Sequence, residues 1–203
     1  MTARIAAIVL AAGRSSRMAP RHKLLERVEG KAIVARVAEV ALASGADPVI
    51  VVTGFKAPRI AAVLGGMPVT LAHNPAYADG LSTSLRAGIA ALPASIEGTL
   101  ICLGDMPKIE ASVLRALMAA FTGRSAICLP VNHGRRGNPV LWGQSYFAEM
   151  MGLTGDTGAK SLLARHEDRV IEVEIGSDGI FADVDTPADL ARLTAGATAA
   201  RSR

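Results

Sequence analysis

The 203-residue chain is poor in aromatic residues and in cysteine. Phe, Trp and Tyr together make up 3% of it, and Cys102 and Cys128 are its two cysteines. Both cysteines lie in short apolar runs without the spacing of metal ligands, so we interpret them as small buried hydrophobic residues. Since half of the chain is hydrophobic, Ala, Val, Leu and Ile must form the core, which favours helices packed on a parallel sheet.

Further absences argue against whole classes of protein. No apolar run reaches the roughly 20 residues of a membrane-spanning helix, and the first residues do not form a signal peptide, so we expect a cytoplasmic protein without membrane contact. The net charge is only +4, and no basic stripe with interleaved aromatics is present, so we expect no nucleic-acid partner. Neither GxxxxGK[ST] nor GxGxxG occurs, which excludes a Walker loop and a dinucleotide fingerprint.

Apolar runs and amphipathic segments alternate along the chain. This pattern predicts strands at 5–10, 48–53, 69–72, 99–103, 126–130, 140–142 and 170–175, and helices at 33–43, 58–64, 82–92, 111–121, 144–151, 158–164 and 187–193. Such alternation is typical of an α/β fold with a mostly parallel, doubly wound sheet. We expect one domain over residues 1–194, followed by a disordered tail of small and basic residues at 195–203.

Residues 10–23, LAAGRSSRMAPRHK, directly follow the first predicted strand and are called the signature loop below. Their small residues let a ligand approach the backbone, and the exposed N–H groups of such a loop bind anions. Arg17 and Lys23 add two spaced positive charges. The loop therefore favours binding of a polyphosphate, although small residues and solvated cations also occur in loops without a ligand.

Acidic and hydroxyl residues follow other predicted strands. Asp105, between Gly104 and a Met-Pro pair, suits Mg²⁺, which prefers one or two carboxylates together with substrate phosphates. Asp183 and Asp185 alternate, so that both point to one side of an extended segment. A turn or a helix cap is the alternative for each carboxylate. In a parallel sheet these positions meet at the carboxyl edge, where ligands bind.

A third segment combines Asn74 with a Gly80-Leu-Ser-Thr-Ser run that opens a helix. Hydroxyls and backbone amides at a helix start can read the polar edge of a nucleobase. Helix capping explains one such serine but not three consecutive hydroxyl residues.

Together these segments resemble the nucleotidyltransferases that include sugar-nucleotide pyrophosphorylases and the MobA-like molybdenum-cofactor nucleotidyltransferases. The signature loop is similar to their LA(A/G)GxSxRMGxxxK, with Ala19 in place of the usual Gly. LGDMP at 103–107, DVDTP at 183–187 and GLSTSLRAG at 80–88 resemble their metal-binding, DIDTP and base-contact segments. GRRGNPVLW at 134–142 and GDTGAK at 155–160 resemble segments of the cytidylyltransferase branch. The likeness extends from residue 5 to residue 193.

The resemblance implies a Rossmann-like three-layer sandwich and a Mg²⁺-dependent transfer of CMP from CTP to the terminal phosphate of molybdopterin, with release of pyrophosphate. It implies catalytic roles for Arg17, Lys23 and Asp105, and metal binding by Asp105 and by Asp185, the carboxylate directly before Thr-Pro. It implies nucleotide binding by Leu10, Ala11, Ala12, Gly13, Arg17, Lys23, Asn74, Gly80, Ser82, Ser84 and Gly104. Acceptor binding would fall to Arg135, Arg136, Asn138, Asp156 and Lys160.

Several alternatives stay open at this stage. Ala12, where guanylyl-transferring relatives commonly carry Gly, favours CTP, but GTP or another small phosphorylated acceptor is also compatible with the motifs. A non-catalytic partner of a molybdoenzyme or of its chaperone is a second possibility. A nicotinamide-dependent oxidoreductase is the third, and the missing GxGxxG and the lack of an acidic residue closing the second strand argue against it.

Overall fold

In the computed structural model, residues 3–200 are described, and of residues 194–200 only the backbone is described. The strands are β1 (Ile5–Ala11), β2 (Arg27–Val28), β3 (Lys31–Ala32), β4 (Val49–Thr53), β5 (Thr70–His73), β6 (Gly98–Leu103), β7 (Ile127–Asn132), β8 (Arg135–Arg136), β9 (Val140–Gly143) and β10 (Val170–Glu174). The α-helices are α1 (Ile33–Ala43), α2 (Ala57–Val63), α3 (Leu81–Ala90), α4 (Ala111–Ala119), α5 (Phe147–Met151), α6 (Lys160–Leu163) and α7 (Pro187–Ala200).

The main sheet is mostly parallel, as the alternating sequence pattern predicts. Its strand order is β10-β7-β9-β6-β1-β4-β5, with β8 paired to β7. β1 is parallel to both β4 and β6, β4 to β5, and β10 to β7. The exceptions are β8, which is antiparallel to β7, and β9, which lies antiparallel between β6 and β7. The sequence predicts β9 but not its direction, because direction depends on how the preceding residues turn back.

Helices cover both faces of the sheet, which gives three layers. Side chains of β1 alternate between two apolar cores, with Ile5, Ala7 and Val9 in the first and Ile8 in the second. Buried residues of α1, α2, α4 and α7 belong to the first core, and those of α3, α5 and α6 to the second. Because both faces of β1 are buried, its sequence is a continuous apolar run rather than an alternating one.

The chain reverses its direction of travel across the sheet at β1, whose neighbours are β4 on one side and β6 on the other. The loops after β1 and β6 therefore meet at the carboxyl edge, where ligands bind in open α/β sheets. The Gly104 N–H donates to the Leu10 carbonyl at 3.0 Å. A Cβ atom on Gly104 would lie 2.6 Å from that same oxygen, so glycine permits this close approach.

The C-terminal helix is longer than the sequence predicts. α7 continues to Ala200, so residues 195–200, expected in a disordered tail, are helical; residues 201–203 lie outside the described part of the chain. Ala195, Ala197, Ala199 and Ala200 account for the extension, since alanine has the highest intrinsic helix propensity. The described residues contain no helix that is long and apolar enough to cross a membrane.

The two cysteines are buried and unpaired, as the sequence predicts. Cys102 lies in β6 and Cys128 in β7. Burial raises the pKa of Cys102 to about 12 and that of Cys128 to about 11. Both thiols are therefore protonated and unreactive near neutral pH.

Candidate active site

Lys23 connects the two acidic segments at the carboxyl edge of the sheet. Its Nζ lies 2.5 Å from Asp105 Oδ2 and 2.9 Å from Asp185 Oδ1. The Lys23 and Asp105 side chains are 16% and 18% exposed to solvent, and the Asp185 side chain is 38% exposed. One partly buried cation is thus shared by two carboxylates that are 80 residues apart in the sequence.

Local structure explains how these three side chains are directed at one point. Lys23 begins a 3₁₀ turn, and the next residue, Leu24, is buried in the first core. The Val184 N–H donates to the Asp105 carbonyl at 3.0 Å, which brings the 183–185 segment to the loop after β6.

Asp185 does not cap the helix that follows it. Asp189 accepts hydrogen bonds from the Thr186 N–H and hydroxyl, both at 2.8 Å, and the Asp189 N–H donates back to the Thr186 hydroxyl at 3.2 Å. This is a capping box built by Thr186 and Asp189. These hydrogen bonds lower the pKa of Asp189 to about 2. The Asp185 carboxylate is left for Lys23 and Arg17.

The carboxylates keep Lys23 charged. Burial alone would lower the pKa of Lys23, but the charge of Asp105 and the hydrogen bonds to Asp105 and Asp185 outweigh it and raise that pKa. The hydrogen bond from Lys23, together with its charge and that of Arg17, lowers the pKa of Asp185. At neutral pH the cluster therefore contains one ammonium and an ionised Asp185.

Arg17 extends the cluster toward solvent. Its Nη1 lies 2.5 Å from Asp185 Oδ2, and its side chain is 70% exposed. The adjacent Met18, only 2% exposed, anchors the short turn that carries Arg17. The exposed guanidinium of Arg17 is therefore accessible to an anion from solvent while it pairs with Asp185.

A cleft of about 420 Å³ opens beside this cluster. It contains predicted nucleotide-binding residues from the signature loop and from the start of α3, namely Leu10, Ala12, Gly13, Lys23, Gly80 and Ser84. The predicted metal ligand Asp105, from the loop after β6, lines it as well. We call this space the nucleotide cleft.

Other predicted nucleotide-binding residues support the cleft from behind. Ala11 is fully buried in the first core. Asn74, 3% exposed, donates from Nδ2 to Thr83 Oγ1 at 2.9 Å and to Ser84 Oγ at 3.0 Å. Ser82 is fully buried, and its hydroxyl has no hydrogen-bond partner among the described residues. Among the described residues, none of these three lines the nucleotide cleft, so their contact with a base stays a prediction.

The nucleotide cleft also contains residues that the sequence analysis does not identify. They are Arg14, Ser16, Leu24, Tyr77, Ala78, Leu81 and Leu103. Most are direct neighbours of predicted residues, so a wider window around each motif would have included them. Tyr77 belongs to no motif. Its ring lies 6.1 Å from that of Phe55, and a Cβ on Gly54 would lie 2.6 Å from Tyr77 Cβ. Asp156, predicted from the sequence to bind the acceptor, lines the nucleotide cleft as well.

A second cleft, of about 290 Å³, adjoins the first and is called the adjoining cleft below. Leu10, Leu81, Leu103 and Asp156 line both spaces. Its walls are mainly apolar, with Trp142 and Val140 from β9. Three of the predicted acceptor-binding residues line it, namely Asn138, Asp156 and Lys160.

The other two predicted acceptor-binding residues are placed elsewhere. Arg136 is paired with Glu167 Oε1 at 2.5 Å and with Glu172 Oε1 at 2.6 Å. Arg135 lies 4.3 Å over the Phe181 ring. Neither lines the two clefts within residues 3–200, because β8 directs both side chains toward β10 and the loop after it.

The acidic residues of the cluster fit a divalent cation that is held partly by substrate. Asp105 Oδ1 is buried and has no hydrogen-bond partner within the part of the chain that the structure describes. Asp105 and Asp185 both contact Lys23 Nζ and so approach one common point. The described chain has no group of three or more His, Cys, Asp or Glu side chains that could hold a metal. Mg²⁺ is commonly bound by one or two carboxylates, waters and substrate phosphates, and this donor set matches that arrangement.

A family profile described as "MobA-like NTP transferase domain" matches residues 7–170. This range includes the signature loop, the start of α3, Asp105 and the adjoining cleft. Asp185 lies beyond its end, although the structure brings that residue to Lys23.

Similar proteins cover nearly the whole chain. Molybdenum cofactor cytidylyltransferase of Escherichia coli strain K12 is 26% identical over 183 residues, which are 90% of this chain and 91% of the relative. Nicotine blue oxidoreductase of Paenarthrobacter nicotinovorans is 26% identical over 196 residues, 93% of this chain and 96% of the relative. The solved structure of Rv0371C in complex with manganese, from Mycobacterium tuberculosis H37Rv, matches with a TM-score of 0.78 and 26% identity, over 96% of this chain and 100% of that one. A transferase and an oxidoreductase are thus equally similar by identity, and the family profile favours the transferase.

Proposed function

Since the chain belongs to the MobA-like NTP transferase family and is a nucleotidyltransferase, we propose that it transfers CMP from CTP to the terminal phosphate of molybdopterin. Pyrophosphate is the second product, and Mg²⁺ is the proposed cofactor. The observation that carries the proposal is the position of Lys23. It pairs with Asp105 and Asp185 at the end of a small-residue loop that lines a nucleotide-sized cleft.

The proposed reaction needs no general base. The second pKa of a phosphate monoester is about 6, so the acceptor is already an anion at neutral pH. One of its oxygens forms a bond to the α-phosphorus of CTP, the bond from that phosphorus to the bridging oxygen breaks, and the electron pair leaves with pyrophosphate. Catalysis then consists of positioning and charge neutralisation.

Each charged residue has a place in this scheme. Lys23 and Arg17 would neutralise charge on the triphosphate and on the leaving pyrophosphate. Backbone N–H groups of Ala12 and Gly13 would donate to phosphate oxygens, and a side chain at position 13 would meet open space, so a ligand has room there. Mg²⁺, held by Asp105 and Asp185, would supply further positive charge to the phosphate oxygens.

The proposed preference for CTP is supported by Ala12. Ala12 lines the nucleotide cleft. Its methyl group packs closely against Gly54, because a Cβ atom on Gly54 would lie only 2.8 Å from it. A fixed methyl group beside the base would disfavour a larger purine by roughly 1–3 kcal/mol. The proposed acceptor site is the adjoining cleft, where Lys160 offers a cation beside apolar walls.

The decisive test is pyrophosphate release with Mg²⁺ and each of the four NTPs, in the presence and absence of molybdopterin. We expect release that requires molybdopterin and CTP. Release with GTP would replace the proposed base, and release with another phosphorylated acceptor would replace the proposed acceptor. If the folded protein releases no pyrophosphate with any NTP and acceptor, nucleotidyl transfer by this chain is contradicted.

An oxidoreductase is a second candidate because nicotine blue oxidoreductase matches 93% of the chain. The chain lacks the GxGxxG fingerprint of dinucleotide-binding folds, and the matching family profile is that of an NTP transferase, so both observations argue against it. Titration of the protein with NADH and NADPH, followed by fluorescence, separates the two reactions. Saturable binding of a reduced nicotinamide without binding of any NTP would favour the oxidoreductase.

A further inference from the structure

Helix α3 is capped by a segment that lies 75 positions further along the chain. The N-terminal residue before this helix, Gly80, has no side chain with which to cap it. Instead, Asp156 Oδ1 accepts a hydrogen bond from the Leu81 N–H at 3.3 Å, and the Gly155 carbonyl accepts one from the Ser82 N–H at 3.1 Å. The first two amides of α3 are therefore satisfied by residues 152–159, which we call the clasp loop.

The fit between the clasp loop and α3 is close at the backbone. A Cβ on Gly80 would lie 2.3 Å from the Gly155 carbonyl carbon and 2.7 Å from the Asp156 nitrogen. A Cβ on Gly158 would lie 3.0 Å from Leu81 Cδ2. Glycines at these positions allow the clasp loop to lie directly on the first turn of α3, so the two segments form one continuous contact.

This contact separates the two clefts. Gly80, Leu81 and Asp156 line the nucleotide cleft, while Leu81, Asp156 and Gly158 line the adjoining cleft. Lys160, which begins α6 directly after the clasp loop, also lines the adjoining cleft. The clasp loop thus forms part of the wall of both clefts. On the side of the nucleotide cleft, the Asp156 carboxylate accepts the hydrogen bond from the Leu81 N–H.

We propose that Asp156 is a positioning residue that couples the two clefts, so that a nucleotide in one orders the clasp loop and thereby shapes the other. This inference rests on the proposed function, because it requires a nucleotide beside Gly80 and Leu81. It moves Asp156 from the acceptor-binding role implied by the sequence to the wall between the substrates. Coupling between two sites follows when one element contacts both and its order depends on either ligand.

Hydrogen exchange of the clasp loop tests the coupling without knowledge of the acceptor. The probe is the unreactive α,β-methylene analogue of CTP, or of whichever NTP binds, with Mg²⁺. In the wild-type protein we expect the analogue to slow amide exchange of residues 152–159 by about fivefold or more, the lower end of typical coupling. In Asp156→Ala the analogue should still bind, more weakly, and leave the exchange of the clasp loop unchanged.

Two variants distinguish capping from a general structural effect. Asp156→Asn retains an oxygen acceptor for the Leu81 N–H, so we expect it to restore the protection that Asp156→Ala loses. Asp168→Ala removes another Asp side chain, which is 72% exposed and paired with Arg169 at 3.0 Å; it should behave as the wild type.

The possible failures are separable. If no NTP analogue binds, the proposed function and this inference fall together. If the analogue binds but the clasp loop is not protected, or is protected equally in Asp156→Ala, only the coupling is overturned. If Asp156→Asn fails like the alanine variant, a capping role for Asp156 is wrong.

Discussion

Lys23 Nζ lies 2.5 Å from Asp105 Oδ2 although 82 positions separate the two residues in the sequence. The contact joins the loop after β1 to the loop after β6, and both side chains are more than four-fifths shielded from solvent. Since Asp185 also bonds to Lys23, the lysine offsets the repulsion between two neighbouring carboxylates. The pair is therefore both a structural tie and the proposed centre of phosphate binding.

Lys23→Met should cost both stability and activity. It leaves the shielded Asp105 carboxylate without its cation and beside Asp185, which we expect to destabilise the fold by about 1–3 kcal/mol. Urea unfolding measures the loss of stability, and pyrophosphate release measures the loss of activity.

Asp105→Asn should reduce Mg²⁺-dependent turnover by about 100-fold or more while the protein stays folded. Pyrophosphate release measures the turnover, and urea unfolding shows whether the variant is folded.

The double variant Lys23→Met/Asp105→Asn supplies the control for this pair. A coupling energy of about 0.5–3 kcal/mol in the double-mutant cycle is expected for residues in direct contact. Additive destabilisation would show that the two side chains do not interact in solution. Full activity of Asp105→Asn would remove that residue from the proposed metal site.

Arg17→Ala should separate catalysis from stability. Because the Arg17 side chain is 70% exposed, loss of its ion pair with Asp185 should change the free energy of unfolding by less than about 1 kcal/mol. We expect kcat/KM for the NTP to fall by about 100-fold, as when one charge-stabilising group is removed. Arg165→Ala is the matched control, because Arg165 is 57% exposed and pairs with Glu149 at 2.7 Å away from both clefts; its kinetics should equal those of the wild type. An unchanged kcat/KM in Arg17→Ala would refute the phosphate role.

Gly80→Ala should disturb both the clasp loop and the nucleotide cleft. Gly80 has φ 107° and ψ 169°, a region that is essentially restricted to glycine, and the new methyl group would lie 2.3 Å from backbone. Gly123→Ala shares a positive φ of 138° but meets no atom within 4 Å, so it isolates backbone strain from the steric clash. We expect Gly80→Ala to be less stable than Gly123→Ala by about 1–3 kcal/mol and to have the higher KM for NTP. Equal stability and equal KM for the two variants would contradict the close contact.

His22 should make the protein less stable in mild acid. It is 3% exposed and stacked on Phe55 with ring centroids 5.6 Å apart. Burial, and then the charges of Lys56 and Arg59, lower its pKa below the ordinary 6.5. As the pH falls below about 6.5, the unfolded chain binds a proton that the folded chain does not, so stability decreases toward the lowered pKa of the folded state.

The measurement for His22 compares melting temperatures at pH 7.5 and pH 5.5. His22→Phe keeps the ring stack and removes the titrating group, so its melting temperature should fall less than that of the wild type. A difference of 1 kcal/mol corresponds to about 2–4 °C in a chain of this size. Equal decreases in the two proteins would show that His22 does not titrate differently on folding.

The elements of the fold were predictable because their signals are local. The sequence predicts a helix at 33–43, and α1 occupies Ile33–Ala43; the other main strands and helices are found near their predicted positions. The spacing of apolar residues, glycines at helix ends and proline in the first turn of a helix can all be recognised within a few neighbouring residues. The antiparallel direction of β9 was not predictable, since it follows from how the residues after β7 return to the sheet.

The site was predictable as a set of loops but not as a set of side-chain directions. The sequence places Asp183 and Asp185 on one side of an extended segment, and tertiary structure brings Asp185 to Lys23. The sequence predicts the same nucleotide-binding role for Asn74, Ser82 and Ser84. In the structure, Ser84 lines the nucleotide cleft, and the Asn74 side-chain amide donates a hydrogen bond to the Ser84 hydroxyl. The sequence groups Arg135 and Arg136 with Lys160, whereas β8 turns the two arginines toward Phe181 and two glutamates.

The sequence alone determined the order of strands and helices, the small-residue loop after the first strand and the acidic residues at strand ends, because backbone preference and burial pattern act over a few residues. Only the tertiary structure decided that Lys23 is shared by Asp105 and Asp185, and that Asp156 caps a helix 75 positions before it. Those contacts depend on strand order and on which face each side chain packs against. This long-range geometry is established when helices pack on both faces of the sheet and form the two apolar cores. It therefore cannot be predicted from any short segment of the chain.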